Sequence, residues 1–325
     1  FMVTDHETER ARYWLPCVDH PSARTTLDIA ITAPADMEIL ATGAHRGTED
    51  NGDGTATARW HSDAACPSYL ICLAVGEFVR LDDGEFNGIP IAYFALAPFT
   101  KDDLKRSFGD TGEMMAFLTE RLGQPMPWAK YYQFAAPGIG GAMENISLVS
   151  WDDVWLVDDR LRAERGYLLD QVNVHEMAHT WFGDLVVVRD FSHVWLKEGW
   201  ATYMESVWYE HKFGEEAMHR QLLTERREYL SEAEGRYIRP IVTRNYDASW
   251  SMFDRHLYPG GAVRLHLLRT ELGDDIFWPA VRDYLGRHAR GMVETDDFRR
   301  VMEEHSGRYL ARFFEQWLYL SLIHI

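Results

Sequence analysis

The sequence predicts an α+β fold, a β-rich segment followed by a mostly helical domain, and three observations carry that reading. From Thr25 to about Phe86 apolar and polar residues alternate in short runs such as Leu27-Asp28-Ile29-Ala30-Ile31, the period-2 pattern of half-buried strands. Asp/Gly-rich turns such as Glu49-Asp50-Asn51-Gly52-Asp53-Gly54 break these runs. From Lys101 onward the spacing of apolar residues is helical.

In chain order, a strand over Ile89 to Ala95 follows the turn at Asn87-Gly88, and a domain boundary is placed there, separating residues 1–88 from 89–325. Helices are expected over Leu104–Leu122, Arg160–Gly183, Val194–Phe213, Gly261–Leu272 and Asp296–His305. Gly123, Gly183, Gly214, Gly273 and Gly307 stand where helix C-caps belong. No internal repeat or low-complexity stretch is present.

Length and composition bound the function. The 325 residues suffice for a buried core and a cleft. With 33 basic against 51 acidic residues, the net charge of −18 disfavours nucleic acid and anionic lipid as partners. Cys17, Cys66 and Cys72 are an odd set without metal-ligand spacing, read as three buried thiols in a reducing, cytoplasmic compartment. No run of 18 apolar residues spans a membrane. The chain opens at Phe1-Met2-Val3 and closes on an apolar end, Leu320 to Ile325; it reads as a fragment.

The chemistry is concentrated in His175-Glu176-Met177-Ala178-His179, inside a helical pattern. Residues i and i+4 share a helical face, so both imidazoles reach one cation while Glu176 projects beside it as a general base for metal-activated water. A zinc hydrolase needs a third protein ligand. Glu198, nineteen residues after His179 in Trp195-Leu196-Lys197-Glu198-Gly199-Trp200, supplies it from the next helix, giving a His175, His179, Glu198 set for one Zn2+ ion. Glu205, two turns on, is a candidate acceptor for a ligand histidine's N–H. His193, His211, His256 and His266 lack comparable partners in the sequence and read as ordinary.

Upstream lies Pro137-Gly138-Ile139-Gly140-Gly141-Ala142-Met143-Glu144-Asn145, glycine-rich backbone against which an extended peptide can lie. Here the sequence resembles the M1 family of zinc aminopeptidases, gluzincins with a thermolysin-like catalytic domain. Gly141-Ala142-Met143-Glu144-Asn145 is similar to that family's G-A-M-E-N signature and precedes H-E-x-x-H and the distant Glu, as in relatives. Arg12-Tyr13-Trp14-Leu15-Pro16-Cys17-Val18-Asp19-His20-Pro21 resembles the R-x-x-F-P-C-F-D-E-P segment, with His20 in place of an acid. Trp181-Phe182-Gly183-Asp184-Leu185-Val186 resembles W-F-G-N-L-V, with Asp184 for Asn, and Tyr258-Pro259-Gly260-Gly261-Ala262 resembles Y-x-K-G-A, with Gly260 for Lys.

The resemblance implies an aminopeptidase acting on peptides with a free N-terminus. Glu144 and Glu7 would hold the substrate ammonium, with Gly140, Gly141, Ala142 and Met143 along the substrate, and Tyr258 would donate to the oxyanion; Tyr246 is a second choice. Met143 and the residues near Glu7 are expected to line the first side-chain pocket. Residues 1–88 would be the end of an N-terminal β-domain and 89–325 the thermolysin-like domain, without the C-terminal helical domain of relatives; the resemblance stops after Tyr319. Three alternatives stay open: a bifunctional epoxide hydrolase/aminopeptidase, whose motif is G-G-M-E-N; a zinc endopeptidase without an amine clamp; and a non-catalytic peptide-binding protein.

Overall fold

The computed structural model of the protein describes residues 1–323. They form two compact units, 1–116 with 126–176, and 117–125 with the chain from 177 onward.

The first unit is built on strands whose alternation decides the layering. In Thr55–Pro67 the side chains of Ala56, Ala58, Trp60, Ser62, Ala64 and Cys66 are buried, and this strand pairs antiparallel with Arg24–Pro34 and Ala44–Asp50. A second sheet joins Met2–Val3, Leu73–Gly76 and Glu38–Ala41. It is apolar on both faces: Ile39, Ala41, Leu73 and Val75 pack with Ala58 and Trp60, whereas Leu40 and Ala74 pack with Phe94 and Phe134. Successive side chains thus enter two different cores, the leucine, isoleucine and valine side chains contributing about 1.5–3 kcal/mol each when fully buried.

A mixed five-stranded sheet follows, in the order Ala142–Met143, Leu148–Asp152, Tyr131–Ala136, Ile89–Leu96, Phe78–Phe86. The turn at Asn87-Gly88, with φ of 51° and 80°, closes the hairpin between its last two strands. The strands Tyr131–Ala136 and Leu148–Asp152 pair in parallel. They carry no alternation because both faces are covered, which is why periodicity did not reveal them. Instead of one helix over Leu104–Leu122 there are two, Lys101–Phe108 and Thr111–Leu122. Gly109 and Asp110 interrupt the run, both poor helix formers, and Thr100 and Asp103 cap the first helix reciprocally. Cys66 and Cys72 are buried as expected, but Cys17 is exposed.

The second unit is mostly helical: Trp195–Phe213, Glu215–Gly235, Tyr258–Leu272, Asp274–His288 and Thr295–Ser306. Two of these were not expected. Glu215–Gly235 buries Glu225 and Glu232 among its apolar residues, which dilutes the stripe, and Asp274–His288 carries Pro279 in its interior. Trp200 sits at the centre, stacked on Phe182 at 4.3 Å and edge-on to Phe298 at 5.7 Å.

The Trp195–Phe213 and Tyr258–Leu272 helices meet at two glycines. A Cβ on Gly261 would lie 2.8 Å from Gly199 Cα, and one on Gly199 would lie 3.0 Å from Gly261 Cα, so backbones touch where any side chain would force them apart. Gly261→Ala is expected to destabilise the protein by about 1–3 kcal/mol through overpacking, read as a lower midpoint in urea unfolding; an unchanged midpoint would show that the two helices separate freely.

Candidate metal centre

The helix that carries the histidines runs over Asp159–Ala178. Asp158 caps it, accepting from Leu161 N at 2.7 Å. It ends at Ala178 rather than at Gly183, because residues 179–186 form a tight loop in which Asp184 N, Leu185 N and Val186 N donate to the carbonyls of His179, Thr180 and Trp181.

That loop orients a ligand. With the proton on Nδ1, His179 donates to the Phe182 carbonyl at 3.0 Å, which leaves Nε2 as the lone-pair nitrogen. In that tautomer the acceptor of the His179 N–H is the Phe182 carbonyl; Glu205 is buried farther along the Glu198 helix. Nε2 lies 3.3 Å from Glu198 Oε2, and His175 stands one turn earlier on the same helix. The ligand atoms of His175, His179 and Glu198 all fall within 4.8 Å of one another.

Two ligands on a tetrahedral zinc with bonds of about 2.0–2.1 Å are separated by about 3.3–3.4 Å, so the His179–Glu198 spacing fits an ion as well as a hydrogen bond. His179 and Glu198 are almost fully buried, and two imidazoles with one carboxylate are a zinc donor set. The residues therefore fit the ion.

Within the first unit, the glycine-rich segment is held at the sheet edge. Ala142 and Met143 pair antiparallel with Trp151 and Ser150, and among the described residues no strand lies beyond them in that sheet. Asp152, not singled out in the sequence, fixes the loop: its Oδ2 accepts from Gly138 N at 3.2 Å and Gly140 N at 2.8 Å, and these donors hold its carboxyl below the usual range. Gly138 and Gly140, at φ of 87° and 81°, adopt a left-handed conformation that side chains resist. Lys130, also not anticipated, is buried and donates to Ala41 O, Gly43 O and Ser147 Oγ at 2.7–2.9 Å, tying the residues just after Glu144 to the sheet below. Burial pushes its ammonium down to about 7.

Glu144, Glu7 and Met143 are buried. Carboxylate oxygens of Glu7 and Glu144 lie within 4.8 Å of each other, and those of Glu144 and Glu176 likewise. Asp5 joins this acidic group. Burial raises its carboxyl, opposed by Arg10 at 3.0 Å and reinforced by the Glu144 charge. No sequence motif marks Asp5; its proximity to Glu144 comes from the pairing of Met2–Val3 with Ala74 and Val75.

Tyr258 opens the Tyr258–Leu272 helix, three residues before the expected start, and its ring lies 6.3 Å from that of Phe253. The turn before it is clamped by His256, which is not the ordinary residue its sequence context suggested. His256 is fully buried; its Nδ1 donates to Glu232 Oε2 at 3.1 Å while Nε2 faces the Arg239 amide. Asp254 accepts from the amides of His256 and Leu257 and from Arg239. Gly260, where relatives were expected to carry lysine, packs with Tyr229 and Ile241 at 3.1–3.2 Å from the position of a Cβ. On the oxyanion role that the resemblance implies for Tyr258, Tyr258→Phe is expected to lower peptide hydrolysis about 100-fold in kcat with little change in KM; a fall confined to KM would place the phenol on the ground-state substrate instead.

The model of the peptidase family M1 domain matches residues 106–317, and that of the M1 N-terminal domain matches residues 1–70. The chain belongs to peptidase family M1. Among relatives of this M1 chain, Aminopeptidase M1 of Arabidopsis thaliana is 28% identical over 320 residues, covering 97% of this chain and 36% of the relative. Glutamyl aminopeptidase of Sus scrofa is 26% identical over 321 residues, covering 97% and 34%. The chain thus spans about a third of the length of the curated relatives it matches. An M1 zinc metallopeptidase variant from Deinococcus radiodurans, solved with a Tyr-Ser-Ala substrate, shares the fold with a TM-score of 0.80 at 24% identity, covering 97% of this chain and 68% of that one. The β-rich-then-helical order predicted from the sequence is that of this M1 fold.

Proposed function

We propose that this M1 chain is the catalytic part of a zinc aminopeptidase that removes the N-terminal residue of peptides. The observation that carries the reading is the run of carboxylates from Glu7 through Glu144 to Glu176, which ties an ammonium-binding group to the residue beside the first metal ligand. Buried carboxylates this close repel one another, and a bound ammonium offsets that repulsion with charge-assisted hydrogen bonds. In this reading an N-terminal amine held by Glu7 and Glu144 presents the first peptide bond to Glu176.

His175, His179 and Glu198 would hold the zinc. When bound, the ion supplies Lewis acidity and lowers the pKa of water toward neutrality. The remaining steps fall to the chain. Glu7 and Glu144 bind the amine, and the Ala142–Met143 edge strand aligns the peptide by main-chain hydrogen bonds. Glu176 takes a proton from the attacking water as oxygen bonds to the carbonyl carbon, and Tyr258 donates to the carbonyl oxygen as it becomes negative. Glu176 then gives the proton to the departing nitrogen as the C–N bond breaks.

The reading also includes a cytoplasmic location, supported only by three cysteines that form no disulfide among the described residues, and a functional division of the chain near residue 88. Ala142 in the motif favours plain peptidase over the epoxide hydrolase alternative. The test is release of chromophore from leucyl, alanyl, arginyl and glutamyl anilides against their N-acetylated forms. Acetylation, which removes the cation, is expected to lower kcat/KM by about 100-fold or more, as is Glu144→Gln on the free amines. Equal cleavage of blocked and free substrates would point to an endopeptidase and overturn the amine clamp.

A further inference from the structure

Lys197 stands immediately before the ligand Glu198 and is itself completely buried. Its Nζ lies 3.0 Å from Glu198 Oε1, while the other oxygen, Oε2, faces His179 Nε2 at 3.3 Å. The ammonium also sits over the Phe253 ring at 5.5 Å. Its stem runs past Gly183: a Cβ there would lie 2.9 Å from Lys197 Cγ and 3.3 Å from Cδ. Neighbouring residues on a helix point about 100° apart, so two adjacent side chains converge on one point only when the longer one is steered. Gly183 leaves room for the stem on one side and Phe253 covers the cation on the other.

We propose that Lys197 is a positioning residue that makes Glu198 a one-oxygen ligand. This rests on the reading of His175, His179 and Glu198 as a zinc centre. A carboxylate can give a metal one oxygen or both. With Oε1 engaged by a buried ammonium, only Oε2 is offered. The remaining coordination position is thereby kept for water and substrate, as a catalytic zinc site requires. The ammonium also offsets the charge of a carboxylate whose burial would otherwise be costly. In this assignment Lys197 acts through Glu198.

The test is metal spectroscopy, independent of turnover. The chain is loaded with cobalt(II) and compared with Lys197→Met, which keeps the stem and removes the charge. Four-coordinate cobalt(II) absorbs visible light intensely and five-coordinate cobalt(II) weakly. The unsubstituted chain is expected to show the intense spectrum, and Lys197→Met a band weaker by about twofold or more as the freed oxygen binds and the site expands to five-coordinate. Identical spectra would overturn the proposal while leaving the metal centre standing; failure of the unsubstituted chain to bind cobalt would overturn both. Should Lys197→Met not fold, a zinc-loaded minus metal-free infrared difference spectrum of the unsubstituted chain decides. A wide separation between the carboxylate stretches is expected for one-oxygen binding, and the narrow separation of two-oxygen binding would overturn the proposal.

Discussion

Replacing Glu176 with glutamine is expected to lower kcat for unblocked peptide anilides by about 1,000- to 10,000-fold, while zinc content and KM stay near those of the unsubstituted chain. The magnitude is the upper part of what a positioned acid–base group contributes. Glutamine keeps the size and a hydrogen-bonding oxygen but cannot accept and return a proton, so the loss falls on the chemical step. The position of Glu176 makes the separation clean. It follows His175 directly and therefore projects off the face that His175 and His179 share, and it is not a member of the donor set His175, His179 and Glu198. Zinc should remain bound, measurable by atomic absorption, and substrate should remain bound, measurable from KM. Substantial residual turnover would mean that another group moves the proton and would remove the central assignment.

His179→Ala is expected to act differently, abolishing measurable hydrolysis together with zinc binding. The imidazole is almost fully buried, its Nδ1 is spent on the Phe182 carbonyl, and its Nε2 is aimed at Glu198 Oε2. Truncation leaves the Glu198 carboxylate beside a cavity with one fewer nitrogen. Three-ligand zinc sites reduced to two lose most of their affinity, since even outer-shell partners are worth about 10- to 100-fold. The measurements are zinc stoichiometry after dialysis and anilide hydrolysis with and without added zinc. Full activity at ordinary zinc concentration would show that His179 is not a ligand. Treating the unsubstituted chain with a chelator should reproduce the loss, and added zinc should restore activity there but not in His179→Ala.

Much of the candidate site was legible because its chemistry is local. His175, Glu176 and His179 lie within about one turn of a helix, and 3.6-residue periodicity places them correctly whatever surrounds them. Glu198 was legible because two histidines at i and i+4 call for a third ligand, and it is an acid in the next helical pattern. Tyr258, Glu144 and Glu7 were named only through their resemblance to family motifs; nothing in their local pattern sets them apart from surface acids or an ordinary tyrosine. Corrections came where packing overrode local preference. The helix ends at Ala178 because the loop 179–186 finds other carbonyl partners, and His256 is part of a buried network because Glu232 and Asp254 reach it from separate segments.

What the sequence by itself determined is therefore the candidate metal donor set and the order of elements. Alternation marks the strands of the β-rich segment, periodicity marks the helices, and a spaced donor set marks the metal; each is a property of residues near one another along the chain. The tertiary structure alone decided which carboxylates share a site and what holds them. Asp5 and Glu7 come near Glu144 across more than a hundred residues, Asp152 pins the glycine loop, Lys130 ties Ser147, just after Glu144, to Ala41 and Gly43, and Lys197 divides the two oxygens of Glu198. These depend on side chains meeting within a few ångströms after the backbone has closed on itself, and charge interactions at that range are set by burial and distance, which no local pattern encodes.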